Sequence, residues 1–444
     1  MKRIAIISTM FYPFPAVGAV RVTNWARALP ALGYQPLVVC RDYGYRASRA
    51  TLSEAVHPDV EVAQLRDDGT LAPTEDKVKA SAASKPLSSN FFNEIVLTNI
   101  HRLFVPDSQI LSWHRLYPAI REIVAAAQPD VVLSTCPTFS VLEVGRRLKA
   151  DLGVPWIADY RDPMLLDDRF RPQGWARILW PRFAAFERRV YEQADAILHA
   201  VPLHARWARM HYPFARRRCA ILRHPVPDDL LNGSLEPIRS ESVGRRSICV
   251  VGFIRPQVVG LLARAIRQLV DEDHQTYDLE LRLVGRNLDD PQPIEEILGS
   301  RLKITGRLRH DLAKRHIAGA DVLVNAVSSE RRRVVNVSSK LFEYAAARKP
   351  IISINSTRSD KRLLRKLSVV DINQPTVAEL SDALRKALAR DTNEVASTYR
   401  EFLESQSWER HCQQLQLVLD EVTKPSGSTV DLRDLGSLIP AGKP

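Results

Sequence analysis

The sequence lacks long apolar stretches. Its 444 residues contain no run of about 18 consecutive apolar residues, the length that a membrane-spanning helix needs. The first residues, MKRIAIISTMFYPFP, hold an apolar run that is too short for a secretion signal and that fits a buried strand. We therefore expect a cytoplasmic protein.

Cysteine is scarce. The sequence has five cysteines, an odd number, and they are widely scattered with no Cys-x-x-Cys pair among them. This pattern argues against a disulfide framework and against a zinc site. We expect no bound metal and no cofactor, and a reducing cytosol is the simplest compartment for such a chain.

Acidic residues are in the minority. The chain has 51 aspartates and glutamates against 63 lysines and arginines, which gives a formal net charge of +12. A basic excess of this size suits a phosphorylated ligand, an anionic lipid or nucleic acid, and charge alone does not choose among them.

Strand and helix patterns alternate along the chain. In the first half, apolar runs such as 2–8, 36–40 and 130–135 predict buried strands, and the segment 139–152 predicts a helix. A second series of this kind starts at residue 247. The repeated units predict an α/β fold with two doubly wound, Rossmann-like sheets, whose ligands bind at the carboxyl ends of the strands.

A segment rich in proline and glycine separates the two series. Two domains are also the usual expectation for a chain of this length. The predicted parts are an N-terminal domain, a linker, a C-terminal domain, helices that return to the N-terminal domain, and a disordered tail: 1–225, 226–246, 247–390, 391–424 and 425–444.

The segment SSKLFEYAAARKPII, residues 338–352, begins a predicted helix. Ser338 and Ser339 lie at its start, where hydroxyls and unpaired backbone N–H groups can hold a diphosphate. Lys340 adds a positive charge at the same end. Taken alone, a capped helix with a surface Glu343 explains these residues equally well.

This segment resembles the nucleotide-sugar-binding helix of glycosyltransferase family 4, in its Lys-Leu-Phe-Glu-Tyr subgroup of bacterial polysaccharide-type enzymes. Residues 11–18 followed by Arg21, and residues 155–163, are similar to further family segments in the same order. The resemblance implies the GT-B fold, in which two Rossmann-like domains face each other across a cleft. It also implies that Glu343 accepts hydrogen bonds from ribose hydroxyls.

The expected donor-binding residues lie in both halves of the chain. They are Gly18, Gly252, Arg255, Gly285, Arg286, Ser338, Ser339, Lys340 and Glu343. The glycines let the backbone approach a phosphate, and the arginines bring positive charge to it. A turn glycine is the alternative for Gly18, and a solvated arginine is the alternative for Arg255.

The segment Asp159-Tyr-Arg-Asp162 follows a predicted strand. Many family members have Thr-x-His-Asp here, whereas the resembled subgroup has Asp-Phe-Arg-Asp, so Arg161 takes the place of the histidine. As catalytic residues, we predict that Asp159 or Asp162 orients the acceptor hydroxyl and that Arg161 binds a phosphate. The alternative is a structural Asp–Arg pair that caps the loop.

Two features of the family pattern are absent. The fuller motif carries a first glutamate near the transferred sugar, and Val335 occupies its position here. Asn336 and Ser338 are candidates to replace its sugar contacts. The usual Gly-Arg pair with a following lysine is also missing, since Gly252 precedes a phenylalanine.

The resemblance implies a glycosyltransferase of hexosyltransferase type, which moves a sugar from a nucleotide-sugar donor to a glycan or a lipid-linked acceptor. It also implies retention of anomeric configuration without a metal ion. Two alternatives stay open: a sugar-nucleotide 2-epimerase of the same fold, and a non-catalytic membrane- or RNA-binding protein built on it. Sugar-nucleotide turnover and RNA retention, measured side by side, would separate them.

Two segments combine aromatic residues with arginines. Residues 175–189, WARILWPRFAAFERR, and 206–218, RWARMHYPFARRR, predict a surface that rests on the anionic inner face of a membrane. In the alternative, the apolar residues pack under the N-terminal domain and the arginines are solvated. No recognised nucleic-acid module accompanies the second segment, so we do not expect a nucleic-acid partner.

Overall fold

The chain folds into two compact units. Unit one contains residues 1–223 and 412–444, and unit two contains residues 224–411. The computed structural model describes residues 1–14, 17–44, 56–72, 104–167, 174–286, 290–306, 308–326, 337–367, 369–424 and 430–432.

The centre of unit one is a parallel β-sheet. Its described strands are β1 (Lys2–Ser8), β2 (Tyr34–Arg41), β3 (Glu61–Leu65), β4 (Val131–Thr135), β5 (Trp156–Tyr160), β6 (Ala196–His199) and β7 (Cys219–Ile221). They lie in the order β3-β2-β1-β4-β5-β6-β7, and every neighbouring pair is parallel. The inner strands β4, β5 and β6 are buried along their whole length, as expected when helices cover both faces.

Helices cover both faces of this sheet. In unit one they include α1 (Val17–Ala28), α2 (Ile110–Ala127), α3 (Ser140–Leu152), α4 (Trp180–Gln193) and α5 (Pro202–His211). Helices α2 to α5 pack on one face, around Trp113, Leu148 and Phe186. Helix α1 packs on the other face, around Trp25.

Unit two repeats this plan. Its described strands are β8 (Arg246–Phe253), β9 (Leu279–Arg286), β10 (Leu302–Gly306), β11 (Val322–Ala326), β12 (Ile351–Ile354) and β13 (Val370–Ile372). They form a second parallel sheet in the order β10-β9-β8-β11-β12-β13. Two doubly wound parallel sheets confirm the predicted α/β fold.

The helices of unit two lie between and beside these strands. They are α6 (Asp228–Leu231), α7 (Pro256–Glu272), α8 (Gln292–Leu298), α9 (His310–Gly319), α10 (Lys340–Ala346), α11 (Arg358–Lys366), α12 (Val377–Leu388) and α13 (Thr392–Ser405). None of the helices that the structure describes is both long and apolar enough to cross a membrane.

The last helix, α14 (Trp408–Val422), joins unit one from Cys412 onward. Its Leu415 and Leu419 pack into the same apolar cluster as Trp25. Helix α13 stays with unit two, because Tyr399 and Phe402 belong to the core there. The segment 391–424, which we expected to return as a whole, is therefore divided between the units.

Two further segments differ from the sequence-based expectation. Residues 226–246 belong to unit two rather than forming a free linker, since the amide of Ile238 donates to the carbonyl of Arg315 at 3.0 Å. In the expected disordered tail, Leu432 is buried against unit one and its amide donates to the carbonyl of Arg217 at 2.7 Å. An apolar side chain that completes a core explains this order. Residues 425–429 and 433–444 lie outside the described residues.

Close packing in unit one depends on a glycine of helix α3. A Cβ on Gly145 would lie 2.2 Å from Nε1 of Trp156 and 2.6 Å from Oγ of Ser134. That indole Nε1 donates to the same Oγ at 2.8 Å, and Trp156 is fully buried. The side chain of Trp156 therefore occupies the space that any larger residue at position 145 would need.

We expect Gly145→Ala to destabilise unit one by about 1–3 kcal/mol, because overpacking forces a buried tryptophan to move. Gly260→Ala in helix α7 is the matched control, since its Cβ would meet only Cδ1 of Ile294 at 3.7 Å. The control should be neutral or stabilising, because alanine favours helix more than glycine does. Denaturant unfolding measures both, and equal stabilities of the two variants would contradict the packing argument.

Candidate active site

Asp159, at the end of β5, is buried in an ion pair. Nη2 of Arg21 donates to its Oδ1 at 2.8 Å and Nε donates to its Oδ2 at 3.0 Å. The hydroxyl of Thr135 donates to the same Oδ2 at 2.7 Å. Neither charged side chain is more than 1% exposed. These contacts favour the structural interpretation of Asp159, with Arg21 rather than Arg161 as its partner.

Arg161 and Asp162 lie beside the first loop of unit one. A Cβ on Gly18 would be 3.3 Å from Nη1 of Arg161 and 3.1 Å from Sδ of Met10. Nη2 of Arg161 is 3.5 Å from Oδ2 of Asp162, and the arginine side chain is 16% exposed. The structure thus brings Gly18, Arg161 and Asp162 together and leaves the guanidinium partly accessible.

In unit two, Gly252 and Gly285 meet where β8 and β9 end. They are partners in the strand register, with φ angles of 100° and 143°. A Cβ on Gly285 would lie 2.0 Å from the carbonyl oxygen of Gly252, and a Cβ on Gly252 would lie 3.2 Å from Nζ of Lys340. Only glycine fits this backbone conformation and this spacing.

Lys340 connects helix α10 to β8. Its Nζ donates to the carbonyl oxygen of Val251 at 2.8 Å. Burial lowers the pKa of Lys340; Glu343 and Asp360 oppose this shift, and Arg255 adds to it. The ammonium therefore sits where its charge is disfavoured, and an added anion would stabilise it.

The first residues of the motif helix are held by a buried carboxylate. Oδ1 of Asp360 accepts the backbone N–H of Ser338 at 2.9 Å. Asp360 also forms a capping box with Thr357 at the start of α11. The N–H of Ser338 is therefore already bonded, which differs from our expectation of an unpaired group. Ser339 is the N-cap of α10, and its side chain makes no capping hydrogen bond.

Glu343, one turn into α10, pairs with a histidine. Nε2 of His310, at the start of α9, lies 2.9 Å from Oε1 of Glu343, and the side chains are 39% and 12% exposed respectively. Burial lowers the pKa of His310, but the hydrogen bond and charge of Glu343 outweigh it and leave that pKa above its ordinary value. The carboxylate is thus oriented by His310 and still accessible.

The remaining expected residues contribute less to the described geometry. Arg255 is the N-cap residue of α7 and lies close enough to Lys340 to affect its pKa. Arg286 ends β9, and its side chain lies outside the described residues, as do Val335 and Asn336. Within the described part of the chain, no group of three or more His, Cys, Asp or Glu side chains could hold a metal ion.

Two family models match the chain by sequence. A model described as "Glycosyl transferase 4-like domain" matches residues 18–223, and one described as "Glycosyl transferases group 1" matches residues 245–390. The chain belongs to the family 4 glycosyltransferases. The prediction of a glycosyltransferase is therefore confirmed, while membership of the Lys-Leu-Phe-Glu-Tyr subgroup stays a prediction.

Solved structures share the GT-B fold of this glycosyltransferase. Sucrose-phosphate synthase from Thermosynechococcus elongatus has a TM-score of 0.62 at 15% identity, over 95% of this chain and 99% of that one. Anabaena HepE, solved in complex with UDP and glucose, has a TM-score of 0.56 at 13% identity, over 95% and 100%. A protein assigned as UDP-N-acetylglucosamine 2-epimerase from Listeria monocytogenes has a TM-score of 0.59 at 11% identity, over 97% and 98%. No curated protein matches the chain by sequence.

The sequence did not identify three residues that contact the predicted site residues: Arg21 as the partner of Asp159 in unit one, and His310 and Asp360 in unit two. Arg21 is separated from Asp159 by 138 positions, so no local pattern links them. Asp360 carries a recognisable pattern, because Thr357 and Asp360 have the spacing of a capping box. That pattern predicts a helix start but not the bond to Ser338.

We expect Asp159→Asn to destabilise unit one by about 3–5 kcal/mol, because it leaves the buried guanidinium of Arg21 without a counter-charge. Glu192→Gln is the control: it breaks an exposed pair with Arg188, whose side chains are 64% and 41% exposed, and should cost at most about 1 kcal/mol. Urea unfolding compares the two variants. A wild-type midpoint for Asp159→Asn, with lost turnover, would instead support a catalytic role.

For His310, we expect an NMR titration midpoint above the ordinary histidine value of about 6.5. Because Glu343 raises this pKa in the folded state, the pair stabilises the fold fully below the unfolded pKa, and the contribution is lost as pH rises through the folded pKa. Glu343→Gln should lower the midpoint. An unchanged midpoint in that variant would show that the two side chains are not paired in solution.

Proposed function

We propose that this glycosyltransferase transfers a hexose from a nucleotide-sugar donor to a glycan or lipid-linked acceptor, with retention of configuration and without a metal ion. The observation that carries the proposal is the convergence of Gly252, Gly285, Lys340 and Glu343 at one edge of unit two. This edge is where open α/β sheets bind their ligands.

The donor diphosphate is proposed to bind beside Lys340. The two glycines remove side chains from the ends of β8 and β9, so that a ligand can approach the backbone there. The partly buried ammonium of Lys340 gains from a nearby anion, since burial disfavours its charge. Arg255 supplies a second positive charge close to Lys340.

The ribose is proposed to bind at Glu343. An ionised carboxylate offers about four lone-pair sites, and His310 uses Oε1. The carboxylate can therefore accept from two adjacent hydroxyls while His310 holds its orientation. Lys340 and Glu343 are three positions apart and lie on one side of the helix, as a phosphate and a sugar of one nucleotide require.

Transfer itself needs charge stabilisation on the departing nucleoside diphosphate. Lys340 and Arg255 can provide it through fixed positive charge, which is why we propose a reaction without a metal ion. On the acceptor side, the partly exposed guanidinium of Arg161 is the group of unit one that we propose binds a phosphate, with Asp162 beside it. We propose retention of the anomeric configuration because the family resemblance implies it.

Glu343→Ala should weaken nucleotide-sugar binding by about 1.5–3 kcal/mol, because ribose hydroxyls lose a charged acceptor. Calorimetry with the UDP, GDP, ADP and dTDP forms of glucose, in buffer that contains EDTA, measures the affinities. Glu295→Ala in α8 is the matched control, since Glu295 is an exposed helical glutamate of the same unit, and it should bind donor like the wild type.

The products of the wild-type enzyme decide the reaction. Transfer of the sugar to an acceptor, in EDTA and with retained configuration, supports the proposal. Epimerised nucleotide sugar formed without any acceptor, inversion, or activity that requires added manganese would each contradict it. Unchanged donor affinity in Glu343→Ala would remove this residue from the site.

A further inference from the structure

Helices α4 and α5 of unit one, with the 3-10 helices Gly174–Leu179 before α4 and Pro213–Arg218 after α5, display apolar side chains to solvent. Ile178 is 78% exposed, Met210 69% and Phe214 47%, and Trp180 and Leu203 are also exposed. These five side chains form what we call the apolar set. Several large apolar side chains exposed in one region, rather than singly, indicate a binding surface.

Some apolar residues of the segment 175–189 do not belong to the apolar set. Phe183 and Phe186 point into the core of unit one and are buried, as the packing alternative expected. The side chain of Trp175 lies outside the described residues. Helix α5 instead exposes a face that is both apolar and basic, because Leu203, Arg206 and Met210 follow one another at helical spacing and are all exposed.

Most of the charged residues in the same region are arginines. Residues 174–218 contain nine arginines but only three acidic residues. Glu187 is buried and accepts the hydroxyl of Tyr212, Asp195 pairs with Lys149, and Glu192 pairs with Arg188. Each acidic group is therefore already engaged, and the surplus charge is positive.

Part of that surplus faces solvent around the apolar set. Seven of the nine arginines are exposed, and five of these form what we call the basic set: Arg182, Arg189, Arg206, Arg216 and Arg217. The remaining ones include two structural residues, since Arg209 donates to the carbonyl of Cys219 and Arg218 donates to that of Tyr191. Exposed arginines and exposed apolar side chains thus occur in the same stretch of unit one, residues 174–218.

The two helices are fixed to each other beneath this surface. Tyr191 of α4 stacks on Tyr212 with ring centroids 4.3 Å apart, and its hydroxyl lies 3.3 Å from Nε2 of His204 of α5. The guanidinium of Arg188 lies 5.8 Å from the ring centroid of Phe214. These contacts pack α5 and the segment after it against α4, and we call this part of unit one the platform.

We propose that this platform docks unit one on an anionic lipid bilayer, with the apolar set inserted at the headgroup level and the basic set against lipid phosphates. Exposed aliphatic side chains favour this partner over RNA, because bases stack on flat rings and gain little from Ile178, Leu203 or Met210. Arginines beside aromatic and aliphatic residues are the combination that interfacial binding uses.

The test is co-sedimentation of the full chain with phosphatidylglycerol-containing vesicles and with pure phosphatidylcholine vesicles, without nucleotide sugar. We expect binding to the anionic vesicles only, weakened by salt. Met210→Ser/Phe214→Ser should lower the partition coefficient about tenfold, and Arg189→Gln/Arg206→Gln/Arg217→Gln should lower it about a hundredfold.

Two control variants remove the same number of apolar or charged side chains at exposed positions outside the apolar and basic sets. Val243→Ser/Leu417→Ser removes two exposed apolar side chains, and Arg264→Gln/Lys386→Gln/Arg400→Gln removes three charges. Both should bind vesicles like the wild type, and thermal unfolding should show that all four variants are folded.

Three outcomes would overturn the proposal. They are equal binding to both kinds of vesicle, equal losses in the control variants, and retention by an RNA oligonucleotide that the arginine variant loses while no vesicle binds. Because no donor is present, a failure here leaves the nucleotide-sugar proposal untouched, and a failure of donor binding leaves this one untouched.

Discussion

Parallel strand pairing is the constraint on which the rest of the molecule depends. In both described sheets every neighbouring pair is parallel, so the strands of each sheet end at the same edge. Residues that follow different strands are brought together there, although they are far apart in sequence. Gly252 and Gly285 meet in this way in unit two, and Thr135 meets Asp159 in unit one.

The two units use this edge differently. In unit one this edge is closed by the buried ion pair of Arg21 and Asp159, which joins helix α1 to the end of β5. Arg161 lies outside this pair and is partly exposed. In unit two, Gly252 and Gly285 keep the ends of β8 and β9 free of side chains, and the partly buried side chain of Lys340 lies beside them. At the edge of unit one the buried charges are therefore already paired with each other. At the edge of unit two a positive charge can still be paired by an anionic ligand.

The sequence predicted what local patterns encode. Alternating apolar strands and amphipathic helices predicted both sheets, and the motif around Lys340 and Glu343 predicted a donor-binding helix, which stays a prediction. It missed β3, whose residues Glu61–Leu65 are only partly buried at the sheet edge, and α2, whose helical pattern contains Pro118. It also missed pairings that only the fold creates, such as His310 with Glu343, because a contact across 33 positions leaves no periodic trace.

The central claim is that the edge of unit two formed by β8, β9 and α10 holds the nucleotide part of the donor. Hydrogen–deuterium exchange of the full chain, with and without the tightest-binding nucleotide-glucose, tests it most directly. The account predicts slower exchange at residues 252–255 and 338–343, with little change around Asp159. Protection confined to unit one, or no protection with any of the UDP, GDP, ADP and dTDP forms, would contradict it.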